Sequence, residues 1–268
     1  ILDALNAGVH PVVPAWGSIG AADLAPLAQL GRLLLGTGEA DVAPGAGDPV
    51  MRVPASHALR EAGLTPVRFG AKDVHSLVVS NSLSVGSACL VLDDLDRALE
   101  WSLRATALDY EAFRSNTSSL APQALAARPA FGQEEVGRRL LALLAGSDLL
   151  EETSPRRLQD PLSYRCAPQV SGALLHAGAQ AALATQIELA SAGENPVVVV
   201  ELDQILSHGN FDMTAFVLAW ESLGQAIAHA AAGTAQRVMK LMSPIASDLP
   251  RFLSPQGQNR AGMAMTQK

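Results

Sequence analysis

From Val85 onward, apolar or small side chains recur at steps of three or four: Val85, Ala88, Leu92, Leu95, Leu99 and Leu103. A strand turns successive residues to opposite faces and cannot gather these on one side, whereas a helix with about 3.6 residues per turn lines them up as a seam. The spacing predicts a long amphipathic helix, which must bury its stripe against other elements. The pattern returns at Phe216, Trp220, Leu223, Ile227, Ala230 and Thr234, and an Ala-rich stretch from Gln169 to about Ala192 offers a small-residue face for close packing. Long helices in this number form a bundle, so the expected fold class is mainly α.

Shorter elements fill the rest. Glu134 to Leu144 suits a helix stopped by Gly146, and Leu24 to Leu35 another, with Asp23 as its N-cap and Gly36 as its close. Around the latter, the first 70 residues are punctuated by Gly and Pro (HPVVP, GTGEADVAPGAGDP) and read as loops, while Ser147 to Pro168 reads as a polar connection. Only the β-branched run Pro196 to Val200 reads as a strand. No repeat at a solenoid period and no gap long enough for a second core separates the helices, so a single helical domain over residues 1–268 is expected.

Composition narrows the function classes. With 49% hydrophobic and 17% charged residues the chain has ample core material and is not disordered. A formal charge of -7 argues against a nucleic-acid partner, whose phosphates call for clustered Lys and Arg. Cys89 and Cys166 are far apart, and neither they nor the six His residues show metal-ligand spacing, so no metal site is expected. Cys89, beside the apolar seam, reads as core, and two free thiols fit a reducing compartment, hence a cytoplasmic protein. His176 and His229 read as packing residues within helices. No segment joins a basic start, an apolar run and a cleavage site. Charges or polar residues are expected to interrupt the apolar helices before the roughly 20 residues a bilayer requires, so no membrane partner is expected. The chain opens on Ile1, inside an apolar pattern with Leu2 and Leu5, and stops at Lys268 without a helix stop signal; flanking sequence is expected beyond both.

The most informative segment is HPVVPAWGSIGAADLAPLAQLGRLLLGTGEA, His10 to Ala40. Gly17, Ser18, Ile19, Gly20, Ala21 and Ala22 are mostly small and lead into a helix N-terminus. Such a run serves equally as a tight loop packed under helices or as a place where free N–H groups favour an anion. The wider string resembles the signature of the aromatic amino acid ammonia-lyases, the histidine and phenylalanine ammonia-lyase family, whose usual form is GSxGASGDLAPLA followed by a GxGEA turn. Further motifs follow in the family's order: AKDVHSLVVSNSLS (Ala71 to Ser84) resembles KEGLALLNGTQ, and LQDPLSYRCAPQVSGA resembles QDxYSLRCxPQVxGA. AGENPVVV resembles the SDNPLVF turn and LSHGNFD the SGGNFHG loop, while RPAFGQ and RRLLALLAGS (Arg138 to Ser147) resemble the family's middle.

The resemblance implies a helical bundle of the ammonia-lyase/fumarase type, a homotetramer with active sites assembled from three subunits, and a small amino-acid substrate, histidine by default. It also implies a methylidene-imidazolone cofactor that the family makes from its own Ala-Ser-Gly triplet. That triplet falls on Ala21, Ala22 and Asp23. The resemblance further places Asn195, Asn210 and Phe211 beside the prosthetic group, and Gln159, Arg165 and Asn81 in the substrate pocket. Arg165 matches the family's carboxylate clamp, a role that suits a planar guanidinium; the structural alternative is a salt bridge to Asp160. Asn81 serves equally as a helix N-cap, with Val79 as the other position for the family's Asn, and Asn195 equally as a turn former before Pro196.

Several positions depart from the family. The triplet is one residue short and its Ser is absent, so as written the loop lacks the hydroxyl that the cofactor's methylidene requires. Leu162 stands where the family has Tyr, with Tyr164 nearby at the family's Leu position, and His208 replaces a Gly. The family's Tyr base and a Glu come from N- and C-terminal parts without counterpart here. Three functions follow: a lyase eliminating ammonia from an aromatic or heteroaromatic amino acid, a catalytically silent relative that keeps the fold for binding or assembly, and an aminomutase.

Overall fold

The structure, a computed structural model, describes the chain apart from residues 44, 46, 48, 152–154, 256–260 and 265–268. Parts of the two segments read as loop and connection, and the end of the chain at Lys268, therefore lie outside the described residues.

In chain order the elements are α1 (Leu2–Asn6), β1 (Val9–Pro11), α2 (Leu24–Leu34), β2 (Glu39–Val42), β3 (Met51–Pro54), α3 (Ala55–Glu61), α4 (Asp73–Val78) and α5 (Ser82–Phe113). There follow α6 (Pro122–Ala126), α7 (Gln133–Leu143), α8 (Leu162–Arg165), α9 (Ala167–Leu189), β4 (Val197–Val199), β5 (Gln204–Leu206), α10 (Thr214–Leu241) and α11 (Pro244–Ser247). The fold is mainly helical, and the long helices α5, α9 and α10 lie where the apolar periodicity puts them. The chain forms two compact units, Ile1–Leu90 with Ala184–Ala215 and Val91–Leu183 with Phe216–Lys268, the division falling within α5, α9 and α10.

In the first unit the loops expected around α2 contain a three-stranded antiparallel sheet, β1-β2-β3, with Val9 opposite Val42 and Ala40 opposite Val53. These strands escape a sequence reading because they are three or four residues long and carry Pro11, Glu39 and Asp41 instead of a β-branched run. Val9, Ala40, Ala55, Ala58 and Leu33 bury a small core between sheet and helices. On the outer face Arg52 lies directly opposite Asp41 and donates to both carboxylate oxygens, at 2.8 and 3.0 Å. Helix α2 ends as its Gly suggests: Gly36, at φ +72°, donates to Leu33 and Thr37 donates to Arg32, so both orphan carbonyls are satisfied. The expected strand at Pro196–Val200 is present as β4, paired with β5.

In the second unit the seam of α5 packs with α7, α9 and α10 around Leu103, Tyr110, Phe113, Val136, Leu140, Tyr164, Ala181 and Leu223. Gly132 and Gly172 permit the closest approach: a Cβ on Gly172 would lie 2.5 Å from the Gln133 nitrogen, so the start of α7 rests on the backbone of α9. One expectation fails: Cys89 is exposed, not core, because it lies about 100° round the helix from its seam neighbour Ala88. The run from Asp73 to Phe113 is long and apolar enough to cross a membrane by length and composition, though Ser76, Ser80, Asn81, Ser82 and Ser84 interrupt it. That run is broken between α4 and α5, and α5 continues through Asp93, Asp94, Asp96 and Arg97.

Candidate active site

The first unit holds most of the residues singled out by the sequence. Asp23 stands at the N-cap position of α2, but its side chain makes no bond there. It is fully buried, and its two carboxylate oxygens accept from the backbone N–H and the hydroxyl of Ser84, each at 2.8 Å. The expected cap therefore serves the first turn of α5 instead, where free N–H groups attract an anion. The Asp23 N–H donates to the Ser80 carbonyl at 2.8 Å, which completes the seam between the loop and the start of α5. Ala22, immediately before, is buried to 1% exposure and has φ +108°.

Between these anchors sits Asn81. Its carbonyl accepts the first helical bond of α5, from Val85 at 2.9 Å, and its Nδ2 lies 3.5 Å from the Glu188 carboxylate. It also lines a cavity of about 250 Å³ with Ser80, Ser82, Glu188, Ser191 and Gly193. Asn81 thus stands at the N-terminal end of α5 and beside a cavity, and Val79 stands at the C-cap of α4. Gly193 carries the wall of this cavity toward the remaining candidates, since a Cβ there would sit 3.5 Å from the Asn210 carbonyl and 3.9 Å from Phe211 Cα.

Asn195 and Asn210, the latter followed by Phe211, are tied together by a residue that the motifs marked only as a departure. The His208 N–H donates to Asn195 Oδ1 at 2.7 Å, and its ring Nδ1 accepts from the Asn210 N–H at 3.0 Å. This leaves Nε2 as the protonated ring nitrogen, buried without a partner among the described residues. The neighbouring turn is clamped from α4: Lys72 pairs with Glu194 at 3.0 Å and donates to the Pro196 carbonyl, while the Ser76 hydroxyl donates to the other Glu194 oxygen. The Ser76 hydrogen bond, and after it Lys72, hold the Glu194 carboxyl below its ordinary value against a smaller opposing effect of burial. Sequence alone gives no signal for this clamp, whose members lie 118 and 124 positions apart.

Gln159 and Arg165 belong to the second unit. Gln159 is exposed. Tyr164, next to Arg165, is fully buried, stacks on Phe113 at 4.2 Å, and directs its hydroxyl to the Arg237 carbonyl; it is a core residue and does not stand in for the Tyr missing at the exposed Leu162. The Tyr110 hydroxyl donates to the Tyr164 carbonyl at 2.6 Å and Arg237 donates to the Ser163 carbonyl, so the backbone of α8 is fixed from two sides. Arg165 itself forms no salt bridge with Asp160, whose Oδ2 accepts from the Asn116 N–H instead. Among the described residues its Nε is buried without a partner, as is Gln169 Oε1 one turn on. Burial raises the Asp160 carboxyl above its usual range, with Asn116 and the nearby Arg156, Arg157 and Arg165 opposing.

The whole chain, residues 1–268, matches the sequence pattern of the aromatic amino acid lyases. It belongs to that family. Histidine ammonia-lyase of Anaeromyxobacter dehalogenans is 39% identical over the full chain, which covers 54% of that relative. Among solved structures, the ergothionase of Treponema denticola superposes with a TM-score of 0.89 at 28% identity, over 98% of this chain and 52% of that one. Phenylalanine aminomutase of Pantoea agglomerans gives 0.89 at 25%, over 99% and 55%. The chain thus spans about half the length of the relatives it matches.

For the family's peptide-derived methylidene-imidazolone, the residues at 20–23 do not fit. Neither Ala21 nor Ala22 carries a hydroxyl, and Ser18 is separated from them by Ile19 and Gly20. Among the described residues no three His, Cys, Asp or Glu side chains gather as they would around a metal ion.

Proposed function

We propose that this is an ammonia-lyase-type protein whose site takes an aromatic or heteroaromatic amino acid, with histidine as the default substrate. The observation that carries the reading is Arg165: a guanidinium on a backbone fixed by the core, which forms no ion pair within 4 Å among the described residues and whose Nε is buried without a hydrogen bond. The guanidinium fork matches a carboxylate in two parallel hydrogen bonds. The identity to histidine ammonia-lyases supports histidine over other amino acids. Within the first unit, taken by itself, the cavity at Asn81 and the Asn195–His208–Asn210 cluster offer amide and imidazole groups suited to polar ligand atoms.

Ala22 favours a second reading, the silent relative, since elimination in the family needs an electrophile that this loop does not encode. An aminomutase meets the same objection. We further propose a cytoplasmic homotetramer. Leu90, Trp101, Leu108, Leu183 and Leu218 are exposed along α5, α9 and α10, a load of apolar surface suited to burial against other copies. Ammonia release from histidine, phenylalanine and tyrosine, measured alongside equilibrium binding of the same amino acids, tests the reading. Release establishes the lyase, binding without release establishes the silent relative, and neither overturns both.

A further inference from the structure

We infer that the gap in the family's triplet falls on its serine, that Ala22 occupies the place of the closing glycine, and that the loop stays an unmodified peptide. The inference takes its register from the family match and its choice from the backbone. On the C-terminal side the register is pinned by Asp23, whose N–H is bound to Ser80 and whose carboxylate is bound to Ser84. In the family pattern a glycine precedes this Asp. Here the preceding residue, Ala22, has φ +108°, a conformation that glycine adopts freely and an L side chain rarely does. On the N-terminal side Gly17 is packed tightly, a Cβ there meeting Ala25 Cβ at 2.7 Å, whereas a Cβ on Gly20 would meet nothing within 4 Å. The family's Gly-Ala pair is matched by Gly20-Ala21, so both flanks are occupied and the gap lies between Ala21 and Ala22.

The chemistry agrees. In the family's ring closure the nitrogen of the third residue attacks the carbonyl of the first, expelling one water, and the central side chain then loses its hydroxyl as a second. Across Ala21, Ala22 and Asp23 the same closure would be attack of the Asp23 nitrogen on the Ala21 carbonyl, and across Gly20, Ala21 and Ala22 attack of the Ala22 nitrogen on the Gly20 carbonyl; in either case the central residue is an alanine. The Asp23 N–H is held by Ser80 at 2.8 Å, and neither alanine methyl has a leaving group for the second loss. In the first case the first loss would cost the Asp23–Ser80 hydrogen bond, and in both the second has no hydroxyl to expel.

Intact mass and near-ultraviolet absorbance of the full chain give the test, which does not depend on whether any amino acid binds. The natural protein is expected at the mass its sequence encodes, with no band beyond that of its Trp and Tyr. A mass short by one or two waters, or an extra band, overturns the inference. A variant with Ser inserted between Ala21 and Ala22 together with Ala22→Gly is expected to lose the mass of two waters and gain an absorbing band. If that variant unfolds as cooperatively as the parent and keeps its full mass, the placement of the gap is wrong. Ala22→Gly alone is expected to raise the denaturation midpoint with no change of mass; a lowered midpoint rejects Ala22 as the glycine's stand-in.

Discussion

Two arginines in this chain show how burial and pairing separate a structural cation from one available to a ligand. Arg237 spends its donors on Asp109 at 2.9 Å, Ser163, Thr106 and Thr234. Burial raises the Asp109 carboxyl above its ordinary value, the Arg237 hydrogen bond opposing it, so the pair organises the core around α8 more than it stabilises it. Breaking it is another matter: Arg237→Met leaves Asp109 buried and unpaired, and a loss of about 3–5 kcal/mol in urea denaturation is expected. Glu194 works in the opposite sense. Its carboxyl is lowered in the fold, so its contribution is present above the ordinary 4.5 and is lost as pH falls through the depressed folded value. Glu194→Gln should therefore flatten the acid limb of a stability–pH profile; an unchanged limb would show that the Lys72–Ser76 clamp contributes nothing. Arg165 was legible as a candidate from its motif, but its lack of an ion pair was not, because a salt bridge to Asp160 is equally consistent with the spacing.

At the scale of elements, what could be read in advance was what repeats. The seams of α5, α9 and α10 are long enough for period to decide between helix and strand, and the Gly36 and Gly146 stops follow from glycine's ease at positive φ. The sheet of the first unit was not legible, since strands of three or four residues carry too little pattern and their stability comes from Leu33 and Ala58 on neighbouring helices. Nor was the capping of α5 by Asp23, whose partner Ser84 lies 61 positions away. Asp23→Ala removes a buried acceptor from both Ser84 groups, and a loss of about 1–3 kcal/mol is expected, read from the urea midpoint. Gly172→Ala drives a methyl into the backbone of α7 at 2.5 Å and should cost a similar amount, about 1–3 kcal/mol; a neutral result would mean that α7 and α9 do not rest on each other.

For the whole molecule, family membership accounts for the fold, while the site is a matter of which residues were kept. The segment with Gln159 and Arg165 retains its motif, the Asn195–Asn210 cluster is rebuilt around His208, and the triplet loop has lost its serine. Exposed apolar side chains on the long helices lead us to expect assemblies larger than one chain in sedimentation experiments, and a monomer at every concentration would contradict that. The central claim, that this site recognises an amino acid through its carboxylate, is tested most directly by calorimetric titration of histidine into the natural protein and into Arg165→Lys. The account predicts saturable binding that weakens about tenfold or more when the fork is replaced by a point charge, with thermal stability unchanged. Absence of binding to the natural protein, or equal affinity in the two, would contradict it.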